Sequence, residues 1–431
     1  MPDRLNILQI VPHDLGKHLH CYGRPDVSSP NLDRLAAEGL RFDRCFTASA
    51  PCSPGRACIQ SGRYAHSNGQ IGLTHRGFDL PEKELTITDH LNQAGYLTAN
   101  IGFQHERKDP TRNRYQHLDL ESQWCEVVAE KVAEFLAAQA RRGDRPFYLN
   151  AAFREVHLPF DREVYFGIDP AEADVPPWLP DNQWVRQELA LIAGSARWMD
   201  QAVGVMLDAL ARTGLDRNTL VLFVTDHGIA FPRAKAMLYD PGIETALIMR
   251  LPEAFGRSGV ICEELISNVD IAPTLLDLVG APTPDAIQGR SFRGLLAGEP
   301  YAPREEIFSE KNYQDIYDPI RCVRTARHKY VRNYEKRTRV TISMDQIWES
   351  TATLEMWPWA SEWRPEEELY DLQSDPYEMT NLAERPEMGE VLDEMRGRLR
   401  AWMVETEDPL LTGRVPAPEG AQVDTFVPPS A

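Results

Sequence analysis

Two acidic–imidazole pairs stand where segments of strand character end. Asn6 to Val11 runs into Pro12-His13-Asp14-Leu15-Gly16, and Thr219 to Thr225 runs into Asp226-His227-Gly228. In open α/β sheets ligands gather beyond the carboxyl ends of strands, so these are the positions where chemistry is expected. A carboxylate beside an imidazole at two such ends offers four O/N ligands that can converge on one divalent cation. Either pair taken singly reads equally well as an acidic turn or a cap. The third element is Cys52-Ser53-Pro54-Gly55-Arg56, continued by Ala57-Cys58-Ile59-Gln60-Ser61-Gly62-Arg63. Ser followed by Pro predicts an N-cap and a first-turn proline, so a helix opens with its unpaired N–H groups and positive dipole end beside Cys52. That is an anion site next to a nucleophile position. Out of this context, a buried cysteine ahead of a helix is the plainer account of a C-x-P-x-R match.

These groups need a scaffold that brings distant segments together. Short β-rich runs at Asn6 to Val11, Phe42 to Ala48, Thr98 to Ile101, Phe147 to Phe153, Thr219 to Thr225 and Ala246 to Met249 alternate with amphipathic stretches. The stretches are Asn31 to Glu38, Val127 to Ala140, Glu188 to Thr213 and Ile271 to Val279. This order predicts an α/β fold: βαβ units around a large, mostly parallel sheet flanked by helices. Leu220-Val221-Leu222-Phe223-Val224 is apolar on both faces and belongs in the middle of that sheet. Beyond about residue 300 shorter strand candidates follow at Glu306 to Ser309, Arg321 to Thr325 and Lys329 to Asn333, then an acidic, Trp-rich segment and a helix near Met388 to Glu405. We read residues 1–300 as a catalytic α/β domain and 301–431 as a smaller α+β subdomain containing an antiparallel sheet, with an irregular tail at Pro416 to Ala431.

The 431 residues, at about 150 per domain, allow roughly three units or one large domain with an appendage. With 42% hydrophobic and 26% charged residues, a disordered chain, a collagen and a disulfide-stapled miniprotein are excluded. The formal charge of −19 argues against nucleic-acid or anionic-membrane partners, which need a positive field, so an anionic substrate has to be met by a local positive pocket. No stretch approaches a membrane span, and the apolar run after Met1 is broken at Gln9, too short for a secretory core; the expectation is a cytoplasmic protein. The seven cysteines (21, 45, 52, 58, 125, 262 and 322) lack CxxC spacing, so neither a disulfide framework nor a zinc ribbon is implied.

The C-x-P-x-R and S-G-R spacing, combined with the two strand ends, resembles the type I sulfatase family of the alkaline-phosphatase-like superfamily, and within it heparan N-sulfatase (sulfamidase)-type enzymes. The matching segments are Asn6 to Gly16, Pro30 to Leu35, Ala50 to Gly69, Thr225 to Gly242 and Glu368 to Leu382, spread over most of the chain. The resemblance implies an alkaline-phosphatase-like fold and a formylglycine made from Cys52 by a maturation enzyme. One hydroxyl of the hydrated aldehyde attacks sulfur, and the other later collapses to expel sulfate. It implies a divalent metal held by His13, Asp14, Cys52, Asp226 and His227, with calcium expected and manganese or zinc as competitors. Arg56 falls on the arginine that holds the nucleophile and metal ligands. His105 falls on the histidine that contacts the formylglycine hydroxyl. His157 is the candidate general acid beside the leaving group. Lys235, nine residues past Asp226, falls on the basic residue that grips sulfate oxygens, with Arg233 the nearby alternative.

The sequence departs from that pattern at three places. His13 stands where the family carries Asp, and Asp226-His227 where sulfamidases carry Asp-Asn; imidazole removes a negative charge and softens the site. Phe103 replaces a sulfate-contacting lysine, removing one charge-assisted contact. Gly55 replaces the serine after the motif proline. The expected activity is a metal-dependent sulfatase or sulfamidase acting on a small sulfated compound, with an amino sugar as a candidate. The alternatives are a phosphonate monoester or phosphodiester hydrolase on the same fold, and a catalytically silent binding protein. Substrate-specific contacts are expected from Gln70 to Phe78, Phe160 to Gln183 and the aromatic stretch Trp348 to Trp363, which equally could pack on the main domain or a second copy in a homo-oligomer.

Overall fold

The computed structural model describes residues 4–252, 257–341 and 355–426. Eight strands build the main sheet: Asn6–Val11 (β1), Leu40–Phe42 (β2), Leu97–Gly102 (β3), His117–Asp119 (β4), Phe147–Ala152 (β5), Thr219–Val224 (β6), Leu247–Arg250 (β7) and Val260–Cys262 (β8). Their order is β8-β2-β7-β6-β1-β5-β3-β4. Neighbours run parallel except β7, which is antiparallel to both β2 and β6. The principal helices are Pro30–Glu38 (α1), Cys52–Ser61 (α2), Cys125–Arg142 (α3), Gln183–Thr213 (α4), Ile271–Leu278 (α5) and Gly389–Glu405 (α6).

The two-faced apolar strands dictate the layering. Leu8, Ile10, Val221 and Phe223 pack on one side with α1, α3 and α4, whereas Ile7, Val11, Leu220, Leu222 and Val224 pack on the other with α2 and α5. Truncating Leu222 to alanine in this close-packed layer would cost about 2–5 kcal/mol. Helix α4 starts where Asn182 accepts the Trp184 and Val185 N–H groups, and it stops at left-handed Gly214. Asp200 of α4 then accepts the first N–H groups of α1, from Asn31 (3.1 Å) and Leu32 (2.8 Å), so one buried carboxylate locks two helices together.

A second, antiparallel sheet follows, in the order Glu306–Tyr313 (β9), Tyr317–Thr325 (β10), His328–Asn333 (β11) and Glu367–Asp371 (β12). Helix α6 covers it, with Trp402 stacked on Phe308 at 4.8 Å. Buried ion pairs fasten this sheet to the main one: Arg324 and Lys329 both donate to Asp240, at 2.9 Å each.

Three expectations are corrected. The strand predicted over Phe42 to Ala48 is two pieces: β2 leaves the main sheet at Phe42, and Cys45–Phe46 joins a separate small sheet with Glu244–Thr245 and Ile266–Ser267. The break falls at polar Asp43-Arg44, where the Asp43 carboxylate turns back to the Arg41 guanidinium. The helix at the cysteine begins earlier than the Ser-Pro signal indicated. Pro51 is the N-cap, Cys52 already lies in the first turn, and the Ser53 hydroxyl accepts the Thr74 N–H instead of capping. Strand β12 lies in the stretch expected only as an acidic segment, because Glu366, Glu367 and the buried Glu368 mask the short apolar pair Leu369-Tyr370. Trp348 lies outside the described residues. Of the other tryptophans, Trp359 packs between the guanidiniums of Arg233 and Arg339, and Trp363 meets Phe426, so these aromatics pack against the chain itself. The tail is irregular from Pro416 to Phe426, and its last five residues lie outside the described part.

Candidate active site

Strands β1 and β6 are neighbours in parallel register, with Gln9 opposite Leu222, so their carboxyl ends emerge side by side. His13-Asp14 and Asp226-His227, more than 200 residues apart in sequence, therefore meet. The Asp226 Oδ1 atom accepts the Asp14 and His227 N–H groups, both at 3.0 Å, and Gly16 N–H donates to the His227 carbonyl at 2.8 Å. Two backbone features allow this crossing. Asp14 takes a left-handed conformation (φ 53°), and Gly228 approaches so closely that a Cβ there would lie 1.9 Å from the Pro241 carbonyl oxygen.

The side chains converge at this crossing. His13 Nδ1 lies 2.7 Å from Asp14 Oδ1 and 3.7 Å from Asp226 Oδ2. His227 Nε2 lies 3.1 Å from the same Asp14 oxygen and 3.1 Å from Cys52 Sγ. One ligand atom from each of His13, Asp14, Cys52 and His227 falls within 4.8 Å of the others, and all four residues are buried. The chemistry of this donor set fits a divalent cation, and Asp226 Oδ2 completes it. His227 Nδ1 lies 2.9 Å from the Gly228 carbonyl; donating there leaves Nε2 free as a ligand.

Arg56 projects from α2 into the same cluster. Its Nε donates to Asp226 Oδ2 at 3.0 Å and its NH2 group to the Pro12 carbonyl at 2.9 Å, while the guanidinium stacks over Phe103. Lys235 Nζ donates to Asp14 Oδ2 and lies 3.1 Å from His157 Nε2. Each buried carboxylate thus has its own cation. Burial would push the Cys52 thiol up, but His227, Lys235 and His13 outweigh it and bring it down to about 6. Burial and then Lys235 hold His157 down at about 3, so it is neutral at pH 7, with its Nδ1 lying 2.6 Å from the Leu158 carbonyl.

The structure gathers eight of the nine expected residues through polar contacts: His13, Asp14, Cys52, Arg56, His157, Asp226, His227 and Lys235. His105 stands at the rim, with its ring 6.2 Å from that of His13. Its Nε2 lies 3.3 Å from His75 Nδ1, its Nδ1 has no hydrogen-bond partner among the described residues, and the Sγ of Cys52 pairs with His227 and Asp14 instead. Arg233 points elsewhere, donating to the Tyr377 and Glu378 carbonyls. His75 was not foreseen. It sits in a short turn with Thr74, whose hydroxyl donates to the His105 carbonyl and whose N–H reaches Ser53, and no sequence signal marks that turn.

A mostly parallel sheet with helices on both sides, with a cysteine at a helix start beside a buried carboxylate–imidazole cluster at two adjacent strand ends, makes up an alkaline-phosphatase-like fold. The Sulfatase family profile matches residues 6–281, and that of the N-sulphoglucosamine sulphohydrolase C-terminal region matches residues 227–346. The chain belongs to the sulfatase family, near its sulfamidases, and is a sulfuric ester hydrolase. It is 29% identical to an ulvan-active sulfatase of Formosa agariphila, over 95% of this chain and 76% of that protein. It is 28% identical to human N-sulphoglucosamine sulphohydrolase, over 98% of this chain and 94% of that one. The crystal structure of the putative sulfatase yidJ from Bacteroides fragilis superposes with a TM-score of 0.77 at 20% identity, covering 96% of this chain and 98% of that chain.

Proposed function

We propose that the protein hydrolyses the sulfate ester or N-sulfate of a small sulfated compound, with an amino sugar as the leading candidate, using a formylglycine derived from Cys52. In this reading residues 1–300 are the catalytic unit and 301–431 a smaller subdomain. The observation that carries it is the position of Cys52 Sγ, 3.1 Å from His227 Nε2 and beside Asp14 at the opening of α2. Sγ here stands in for the oxygens of the hydrated aldehyde. Similarity over nearly the whole length of a sulphoglucosamine sulphohydrolase supports the amino sugar.

His13, Asp14, Asp226, His227 and the formylglycine made from Cys52 would hold a divalent cation, which would supply Lewis-acid polarisation of the sulfate oxygens. Arg56 fixes Asp226 and the Pro12 carbonyl, so both strand ends hold their shape when charge develops. Lys235 lies between Asp14 and His157, where an ammonium can meet a sulfate oxygen while keeping His157 neutral. His157, partly exposed and neutral at rest, is placed to take a proton from the Lys235 ammonium 3.1 Å from its Nε2 and pass it to the departing oxygen or nitrogen. His105, at the rim with Nδ1 unpartnered among the described residues, is the candidate to take a proton from the nucleophile's hydroxyl once substrate is bound. Arg56 and Lys235 cancel the charges of Asp226 and Asp14, so a bound cation would make this spot locally positive within a chain of overall charge −19.

Protein made in a host with the maturation enzyme would show the aldehyde at residue 52 by mass spectrometry, and would cleave an aryl sulfate and glucosamine N-sulfate faster than an aryl phosphonate monoester. A preference for the phosphonate would move the assignment to the phosphonate hydrolases. An unmodified thiol with no turnover would make the chain a binding protein.

A further inference from the structure

We infer that the cation site selects a nitrogen-preferring first-row transition ion, of the manganese–zinc kind, over calcium, and that His13 is the selecting residue. This rests on the cation site proposed above. Calcium is bound by about six to eight oxygens, and its affinity follows the number of ligand charges. The cluster offers little of either. Asp14 Oδ2 is shared with Lys235, Asp226 Oδ2 with Arg56, and Asp226 Oδ1 with two backbone N–H groups, so each gives a metal a weakened donor. Of the four carboxylate oxygens, Asp14 Oδ1 alone meets only the imidazoles and the Cys52 sulfur. With formylglycine in place of Cys52, the two carboxylates are matched by two cations, Arg56 and Lys235, so the site brings no net negative charge to a metal.

What it does bring is nitrogen. His13 Nδ1 and His227 Nε2 approach that one oxygen from two sides, at 2.7 and 3.1 Å. Imidazole suits zinc and iron; manganese favours oxygen but, as a transition ion, takes imidazole more readily than calcium, which is bound by oxygens. His227 also has the outer-sphere partner expected of a metal-bound histidine, the Gly228 carbonyl beside its Nδ1. His13 is the component that an oxygen-ligated site would replace with a carboxylate, adding one charge and two oxygens together.

Manganese against calcium is the decisive pair, because zinc outcompetes both at most nitrogen sites. The full-length protein, stripped with chelator, would be titrated with each ion by calorimetry and offered equimolar mixtures, with bound metal read by elemental analysis. Wild type is expected to hold one manganese at least about tenfold more tightly than calcium, and pulsed paramagnetic resonance of the manganese form is expected to show two directly bound nitrogens. His13→Asp is expected to lose one nitrogen coupling and to reverse the preference, with melting curves confirming that it is folded. Wild type preferring calcium would overturn the inference while leaving the sulfatase reading intact. Failure to bind any divalent ion would remove the cation site as well. An unchanged preference or nitrogen count in His13→Asp would remove His13 from its role.

Discussion

Arg56 illustrates how much of the site is held by single contacts. It is 2% exposed and serves two chain segments at once, the Asp226 carboxylate and the Pro12 carbonyl. Removing one partner of a buried pair leaves the other charged and unsolvated, which costs about 3–5 kcal/mol. Arg56→Ala is therefore expected to lower stability by that amount in denaturant titrations, and to reduce turnover by at least about 100-fold through lost preorganised charge. Arg56→Lys is expected to recover part of the stability but little of the rate, since a point charge cannot reach both acceptors. Equal stability of wild type and Arg56→Ala would contradict the paired arrangement. At this scale the sequence was informative about which residues meet where they stand at a strand end or helix start, as His13, Asp14, Cys52, Asp226 and His227 do, whereas Arg56 and Lys235 were pointed to by the family resemblance. The partner of His105 was not legible, because His75 reaches it through a turn whose conformation depends on Ser53 and on packing from elsewhere.

Between elements, the connections are made by turns and by buried charge. The turn after β6 passes Gly228, where any Cβ would collide with the backbone of Pro241. Gly228→Ala is expected to push Asp226 and His227 apart and abolish cation binding by calorimetry, even where circular dichroism shows the sheet intact. Glu310 of β9 joins the second sheet to the segment after α2, accepting the His66 N–H at 3.0 Å and lying beside Arg321. Burial alone would raise this carboxyl, but His66 and Arg321 reverse the effect and take it to about 2, against 4.5 when unfolded. Because the folded value is the lower one, the tie stabilises fully above about pH 4.5 and is lost as pH falls toward 2, a change on the order of 2 kcal/mol. Glu310→Gln is expected to melt lower at pH 6 and to lose less stability than wild type between pH 5 and pH 3. The alternation of strands and helices was readable because apolar runs of period two and 3.6 leave their mark in composition. The antiparallel course of β7 and the break after Phe42 were not, since both are set by which neighbour accepts the strand.

For the whole molecule, charge distribution sets which substrates can approach. The chain carries 65 acidic against 46 basic residues, yet at the site two buried cations, Arg56 and Lys235, offset the two carboxylates and leave a bound metal ion to set the local sign. A mono- or disulfated sugar brings little charge and meets the local positive field once inside. A long polysulfated chain must lay many anionic groups along an acidic exterior, and at low ionic strength that repulsion acts over about 30 Å at 0.01 M salt, falling to about 8 Å at 0.15 M. The sign of the salt effect therefore differs between substrates. For a short sulfated sugar, kcat/KM is expected to change little or fall slightly with salt, since screening weakens only the pocket's attraction. For the polymer it is expected to start low and rise severalfold between 0.01 and 0.15 M as repulsion is screened. Steady-state rates on matched short and long sulfated glycans across that range would decide it. Faster cleavage of the polymer at the lowest salt would mean that a cationic track overrides the net charge and guides the chain to the site.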